Sequence, residues 1–323
     1  TVSYGEKTAG QALRSIDLVA PAARTTAADA VVAALRAEGH EVLEELLPNP
    51  DAQARLFDDL VFSPRGELVV RLGEGVLLAH SEGVVEAVVP PSVVEGILSE
   101  QGRLVRDAVV GLTGPVTPSA TSAAPVEPPP AASVDCTAAQ CVALTFDDGP
   151  GRDTGRLLDD LARAEAPATF FVLGSSVRVQ PGLVRRMAAE GHEVGTHTLS
   201  HRQLNRLGEA GQRAEVRGGV EALEAAGVSP TVFRPPYGSY NDATRAVVGL
   251  PIILWDVDTL DWKTRSTDAT VAAALGGAKA GSIVLMHDIH APTVEAVSRV
   301  VAGLRERGFT LVTVSQLLGP REP

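Results

Sequence analysis

The chain has 323 residues, 45% of them apolar and 4% aromatic, with a formal net charge of −12. It is long enough for one large or two ordinary domains with real cores. Its acidity argues against a general binder of nucleic acid or anionic membrane, and no apolar stretch reaches the roughly 18 residues of a membrane span.

The charge is uneven along the chain. Residues 1–134 carry 9 basic and 18 acidic side chains, and residues 135–323 carry 19 and 22, so the two parts read as different objects. Thr1 opens no signal peptide. Ala27–Ala37 spaces alanine, valine and leucine as a helix stopped by Gly39. Short strands follow over residues 60–90, broken by Pro-Arg-Gly, Gly-Glu-Gly and Ser-Glu-Gly turns, and "PSVVEGILSEQG" closes the part with a helix. This is a small α+β domain, 1–112, without clustered catalytic side chains. His40 and His80 are lone histidines suited to core or surface duty. The part resembles the extracytoplasmic domain of some bacterial anti-sigma factors. Residues 113–134, rich in Pro, Ser, Thr and Ala, read as an extended linker.

From residue 135 the pattern changes. Cys136 and Cys141, the only cysteines, flank a turn and suit either a small disulfide or two unpaired thiols. The disulfide is the reading adopted, and it implies an oxidising, extracytoplasmic setting. "CVALTF" is a strand buried on both faces. Then come a helix over 154–166, the strand "ATFFVLG", the helix "PGLVRRMAAEG", the short strand "HEVGTH" and a helix over 209–226. After these follow "TVFRP", a helix over 243–248, "IILWDV", a helix over 268–278, "SIVLMH", a helix over 294–305 and "TLVTV". Alternation of strand and helix predicts a parallel sheet. So many units in so few residues predict a small, irregular β/α barrel over 135–323.

Active sites of such barrels lie beyond the carboxyl ends of the strands, and each suspicious cluster falls there. "DDGP" follows the first strand, "HTLSH" the third, "RPPYG" the fourth and "DVDTLDW" the fifth, while "LMHD" ends the sixth. Asp148, His197 and His201 make a metal set of borderline hardness with open positions. Adjacent residues of an extended chain point opposite ways. On that basis Asp148 binds the metal while Asp147 faces a water that the metal acidifies, and serves as general base. A two-histidine, one-carboxylate set also suits a non-haem Fe(II) oxygenase, and a phosphodiesterase would want more positive charge nearby. His192 and His290 are tempting extra ligands. His192 starts a strand away from the rim, whereas His290 lies near the site. Asp256 and Asp258 are expected to hydrogen-bond within their loop.

Taken together, "TFDDGP", "HTLSH", "RPPYG", "DTLDW" and "LMH" resemble, in order and unbroken, the five motifs of the polysaccharide deacetylases. That group is also called carbohydrate esterase family 4 or the NodB-homology domain, and the resemblance covers roughly residues 141–318. It implies a distorted (β/α)7–8 barrel that hydrolyses acetyl groups from N-acetylated glycans. Asp147 would be the base, oriented by Arg234, and Asp148, His197 and His201 would hold a divalent metal. Zinc is the expected ion, with Co2+, Ni2+ or Mn2+ also compatible. His287, paired with Asp261, would be the acid. The backbone N–H of Tyr237 would stabilise the oxyanion, and Trp262 and Leu285 would wall the acetyl pocket. The implied enzyme is a secreted or envelope-associated bacterial N-acetylglucosamine deacetylase, with peptidoglycan as its polymer. Chitooligosaccharide deacetylase and acetylxylan esterase are alternatives within the family. A non-catalytic wall-glycan binding or sensory protein is the alternative from another class.

Overall fold

The computed structural model describes residues 15–40, 42, 56–57, 60–63, 65–72, 77, 85–111, 126 and 134–319. His80, most of the 113–134 linker and the Gly-Glu-Gly and Ser-Glu-Gly turns lie outside them. The chain divides into two compact units, Thr1–Ala120 and Thr121–Pro323.

In the first unit, helix Arg24–Ala37 buries Ala27, Ala28, Val31, Val32 and Leu35, one stripe at helical spacing. Gly39 ends it in the left-handed conformation that glycine tolerates (φ +89°). Strands β1 (Leu60–Phe62), β2 (Leu68–Leu72) and β3 (Val85–Val89) form an antiparallel sheet in that order. Burial alternates along β1 and β3, so one face packs on the core. The single closing helix expected from "PSVVEGILSEQG" is instead two, Pro91–Ile97 and Glu100–Gly111. Leu98 is extended between them. Ser99 Oγ accepts from Gly102 N–H at 3.0 Å and donates to the Asp17 carbonyl at 2.7 Å, capping the second helix at its start.

The second unit opens on a disulfide between Cys136 and Cys141. Its strands β4 (Cys141–Asp147), β5 (Thr169–Val172), β6 (Glu193–Thr196), β7 (Val257–Asp258), β8 (Ile283–His287) and β9 (Thr310–Val312) are all parallel. Their order is β6-β5-β4-β8-β7, with β9 on β4. The expected strand "TVFRP" survives only as bridges from Phe233 to Thr196 and to Ile252. Those bridges join β6 to the segment that leads into β7, and so close the sheet into an irregular barrel. A helix over Gly174–Val179, not expected from the sequence, precedes the expected one at Pro181–Ala189.

Alternation along the strands sorts the core into two layers. Val142, Leu144, Phe146, Phe170, Val172, Val284 and Met286 face outward and pack with Leu157, Leu158, Leu161 and Val297 of the helices. Ala143, Phe171, Val232, Ile253 and Val314 form a separate cluster inside the barrel. A Cβ on Gly195 would stand 2.8 Å from both Phe171 and Val232, so this position of β6 requires glycine. Beneath the cluster, the buried Glu193 carboxylate accepts from Thr169 Oγ1 (3.0 Å), Thr231 Oγ1 (2.7 Å) and Ser315 N–H (3.0 Å). It thereby ties three strand segments to helix Val314–Leu318, which plugs that end. The same alternation places Asp147 and His287, opposite each other in the β4–β8 register, on the inner face at the other end.

His192, ahead of β6, serves the core, as its distance from the rim implied. It is 5% exposed, its Nδ1 accepts from Ala168 N–H at 3.2 Å, and its ring edge meets Phe170. Only neutral imidazole can accept that bond, and burial pushes the ring down to about 4. Because the folded-state value lies below the unfolded one, this contribution is complete above about pH 6.5 and is lost as pH falls toward 4. It amounts to up to about 3 kcal/mol. Urea unfolding of His192→Gln should therefore show stability falling less steeply between pH 6.5 and 4 than in the wild type. An unchanged slope would contradict the burial account.

Candidate active site

Five loops bring the expected residues to one rim. The extended arrangement expected for Asp147 and Asp148 is not what forms. Asp148 is left-handed (φ +74°), and this turn swings both carboxylates toward the same point. His197 Nε2 lies 3.8 Å from Asp147 Oδ2 and 3.6 Å from Asp148 Oδ1. Positive φ recurs in these loops at Thr198, His201, Tyr237, Leu260 and Arg265. Strain of this kind persists where surrounding structure over-determines it, and it concentrates at functional sites.

Asp148, His197 and His201 form a cluster whose candidate ligand atoms lie within 4.8 Å of one another. His201 Nε2 is 3.4 Å from Asp148 Oδ1. Among the described residues no hydrogen-bond donor reaches Asp148 Oδ1, although it is buried. Burial pushes the Asp148 carboxyl above its usual range, and a cation between it and the imidazoles would offset that cost. His197 Nδ1 meets the Arg234 carbonyl at 2.7 Å. If Nδ1 carries the proton, Nε2 keeps its lone pair for a metal. Burial, with the charge of His287, pushes His201 down to about 3, so its ring is a neutral donor. One carboxylate and two imidazoles fit a divalent ion such as zinc.

On one side stands Arg234, a fully buried guanidinium. Its Nη1 donates to Asp147 Oδ1 at 2.7 Å and to Thr145 Oγ1 at 2.8 Å. Nε and Nη2 donate to the Ile253 and Leu254 carbonyls, both at 3.3 Å, and Cζ lies 4.0 Å from the Phe171 ring centre. Burial lowers its pKa and the Asp147 charge opposes that shift. Asp147 Oδ1 is thus held by the arginine while Oδ2 faces the cluster.

On the other side stands His287. Its Nδ1 lies 2.8 Å from Asp261 Oδ1, and its Nε2 lies 4.0 Å from Asp148 Oδ2. Asp261 is fully buried and also accepts from the His287 N–H (2.8 Å), Thr293 Oγ1 (2.7 Å) and Trp262 N–H (2.9 Å). Burial disfavours the imidazolium, but the hydrogen bond and charge of Asp261 outweigh it and raise His287 to about 9. Burial likewise opposes the charge on Asp261, yet its bonds from His287 and Thr293 hold it below the usual carboxylate range.

The remaining expected residues surround this pair. Tyr237 sits left-handed in the turn Pro236–Gly238 with its ring 4.8 Å from that of His201, and it is 41% exposed. Trp262 is 46% exposed beside Asp261. Leu285 is buried on β8, on the same strand face as His287. His290 stands 5.9 Å from the His287 ring and contacts Arg265. Asp258 bonds within its loop, to Leu260 N–H at 2.8 Å. Asp256 does not. It reaches across to Ser282 Oγ (3.0 Å) and Ile283 N–H (2.6 Å) at the start of β8. Sequence reasoning passed over Thr145, Glu193 and Asp288, all buried. Burial raises Asp288 to about 7. Only their position on an inner face or directly after a motif could have flagged them.

The family model described as polysaccharide deacetylase matches residues 135–250. The chain is 43% identical over 182 residues to the peptidoglycan-N-acetylglucosamine deacetylase PgdA of Listeria monocytogenes, covering 56% of this chain and 39% of that protein. It is 39% identical over 199 residues to a chitooligosaccharide deacetylase of Sinorhizobium fredii, covering 56% of this chain and 93% of that one. Among solved structures, a T48 deacetylase with substrate matches at TM-score 0.56 and 50% identity, over 57% of this chain and 94% of that one. The chain thus spans well under half the length of the Listeria protein but nearly the whole of the other two. It belongs to the polysaccharide deacetylase family.

Proposed function

We propose that the chain is a metal-dependent hydrolase that removes N-acetyl groups from N-acetylglucosamine residues of a cell-wall glycan, peptidoglycan foremost. One observation carries the reading: Arg234-held Asp147 and Asp261-held His287 flank the Asp148–His197–His201 cluster from two sides. The Listeria relative's name points to peptidoglycan, and the Sinorhizobium relative keeps chitooligosaccharides as the second substrate class.

A divalent ion held by the cluster, zinc by preference, would supply Lewis acidity for an attacking water and an amide carbonyl. Asp147 Oδ2 takes the proton of the attacking water, and Arg234 fixes the carboxylate and offsets its charge. An amine is a poor leaving group and must be protonated as the C–N bond breaks. His287 Nε2 faces the cluster with a proton to give, because Asp261 keeps the ring cationic at neutral pH. The backbone N–H of Tyr237, whose ring neighbours that of His201, would meet the oxyanion, and exposed Trp262 with buried Leu285 would border the acetyl methyl. The disulfide is consistent with an extracytoplasmic location. No helix among the described residues is long and apolar enough to cross a membrane. In this reading residues 135–323 catalyse, 113–134 link and 1–112 serve as an accessory module.

Acetate release from N-acetylglucosamine oligomers and from peptidoglycan should vanish with chelator and return with zinc. A folded, zinc-loaded protein that releases none from either would contradict the reading. His287 acts as its imidazolium, so activity should fall as pH rises through the value at which it loses its proton. Asp261→Asn removes the charge that raises that value, so the alkaline fall in kcat should move to lower pH. An unmoved alkaline limb would count against the Asp261–His287 assignment.

A further inference from the structure

Asp288 is fully buried one residue beyond His287, and no step above employs it. Its Oδ2 accepts a hydrogen bond from Thr154 Oγ1, and that hydroxyl accepts from Gly151 N–H at 2.7 Å. Its Oδ1 is buried with no hydrogen-bond partner among the described residues. The carboxyl rests directly on Gly149, where a Cβ would stand 2.3 and 2.4 Å from its two oxygens. A Cβ on Gly151 would stand 2.9 Å from Ile289 Cγ2. The loop after β4 and the loop after β8 therefore meet with no room between them.

That contact lies at a consequential place. Asp147 and His287 are register partners at the last rung of the β4–β8 ladder, and beyond it no strand pairing sets the distance between the two loops. On the far side, the β4 loop is tethered by Asp148 N–H to the Phe171 carbonyl (3.2 Å) and by the Gly149 carbonyl to Leu173 N–H (3.0 Å). On the β8 side the Asp288–Thr154–Gly151 chain plays that part. A buried polar oxygen left unpaired is costly, and each one retained in a native structure calls for an explanation. An apolar side chain there would fill the space but would not hold Thr154.

We infer that Asp288, acting through Thr154, is a positioning residue that sets the spacing between the loop bearing Asp147 and Asp148 and the acid His287. The inference rests on the deacetylase reading. It is tested by steady-state acetate release from N-acetylglucosamine oligomers, using the full zinc-loaded chain. The variants are Asp288→Ala, Asp288→Asn, Thr154→Val and Thr154→Ser, with zinc content and melting temperature measured beside them. Asp288→Ala should lower kcat by about tenfold or more, with KM and zinc content within about twofold of the wild type. Asp288→Asn keeps an acceptor for Thr154 and should restore kcat to within about threefold, as should Thr154→Ser relative to Thr154→Val. The double variant Asp288→Ala/Thr154→Val should lose little more than Asp288→Ala alone, because both remove one link.

Folded variants with wild-type kcat would overturn the inference. So would losses that the conservative replacements do not rescue, or a rise in KM together with a fall in zinc content and kcat, the mark of a merely structural role. If Asp288→Ala does not fold, the Thr154→Val and Thr154→Ser pair decides by the same criteria. A wild type without acetate release overturns the deacetylase reading and this inference with it. An active wild type with indifferent variants overturns the inference alone.

Discussion

The site depends on a guanidinium buried inside a barrel. Arg234 has no access to water, so its charge has to be matched by what surrounds it. Four acceptors and an aromatic face do so: Asp147 and Thr145 on β4, the carbonyls of Ile253 and Leu254, and the ring of Phe171. The two carbonyls lie in the thinnest part of the sheet, where Phe233 makes only isolated bridges to Thr196 and Ile252. The side chain supplies cross-links that a longer ladder would have made. Removing it would leave Asp147 as an unpaired buried charge and the barrel short of bonds at its thinnest point. Stability and chemistry therefore draw on the same contact.

With Asp147 anchored, the other half of the site is a counterpart built from the opposite wall. Asp261 receives four hydrogen bonds and holds His287 by both its ring and its backbone. Two carboxylates, both buried, thus take opposite parts. One is held by a permanent cation and faces the candidate metal cluster. The other makes a cation of its histidine. In the proposed reaction, base and acid would be kept apart by their partners rather than by distance, which is what hydrolysis of an amide with a poor leaving group needs.

Much of this was legible in the sequence because it is carried by periodicity and by residue type at strand ends. The apolar run at 141–146 and the leucines at 157, 158 and 161 identify a buried strand and its covering helix, and all are buried as that pattern requires. The five clusters converge because parallel strands bring their carboxyl ends to one rim. What was not legible is conformational. Nothing in "DDGP" announces that Asp148 turns left-handed, so the extended-chain argument put the two carboxylates on opposite sides when they share one. "TVFRP" has strand composition but forms bridges only, since Pro235 and Pro236 that follow Arg234 have no N–H with which to extend the pairing. The helix at Gly174–Val179 is too short and too mixed to show a period. Asp288 looks like a loop residue until its burial against Gly149 is seen.

The central claim is that neighbouring carboxylates do different work, Asp148 holding the metal and Asp147 acting on water. Calorimetric titration of zinc into metal-free wild type, Asp147→Asn and Asp148→Asn, with turnover measured on each, tests it most directly. The account predicts one zinc site in the wild type and in Asp147→Asn, with kcat of the latter down by about a hundredfold or more, and zinc affinity weakened by about a hundredfold or more in Asp148→Asn. Equal loss of zinc in both variants, or normal turnover by Asp147→Asn, would contradict it.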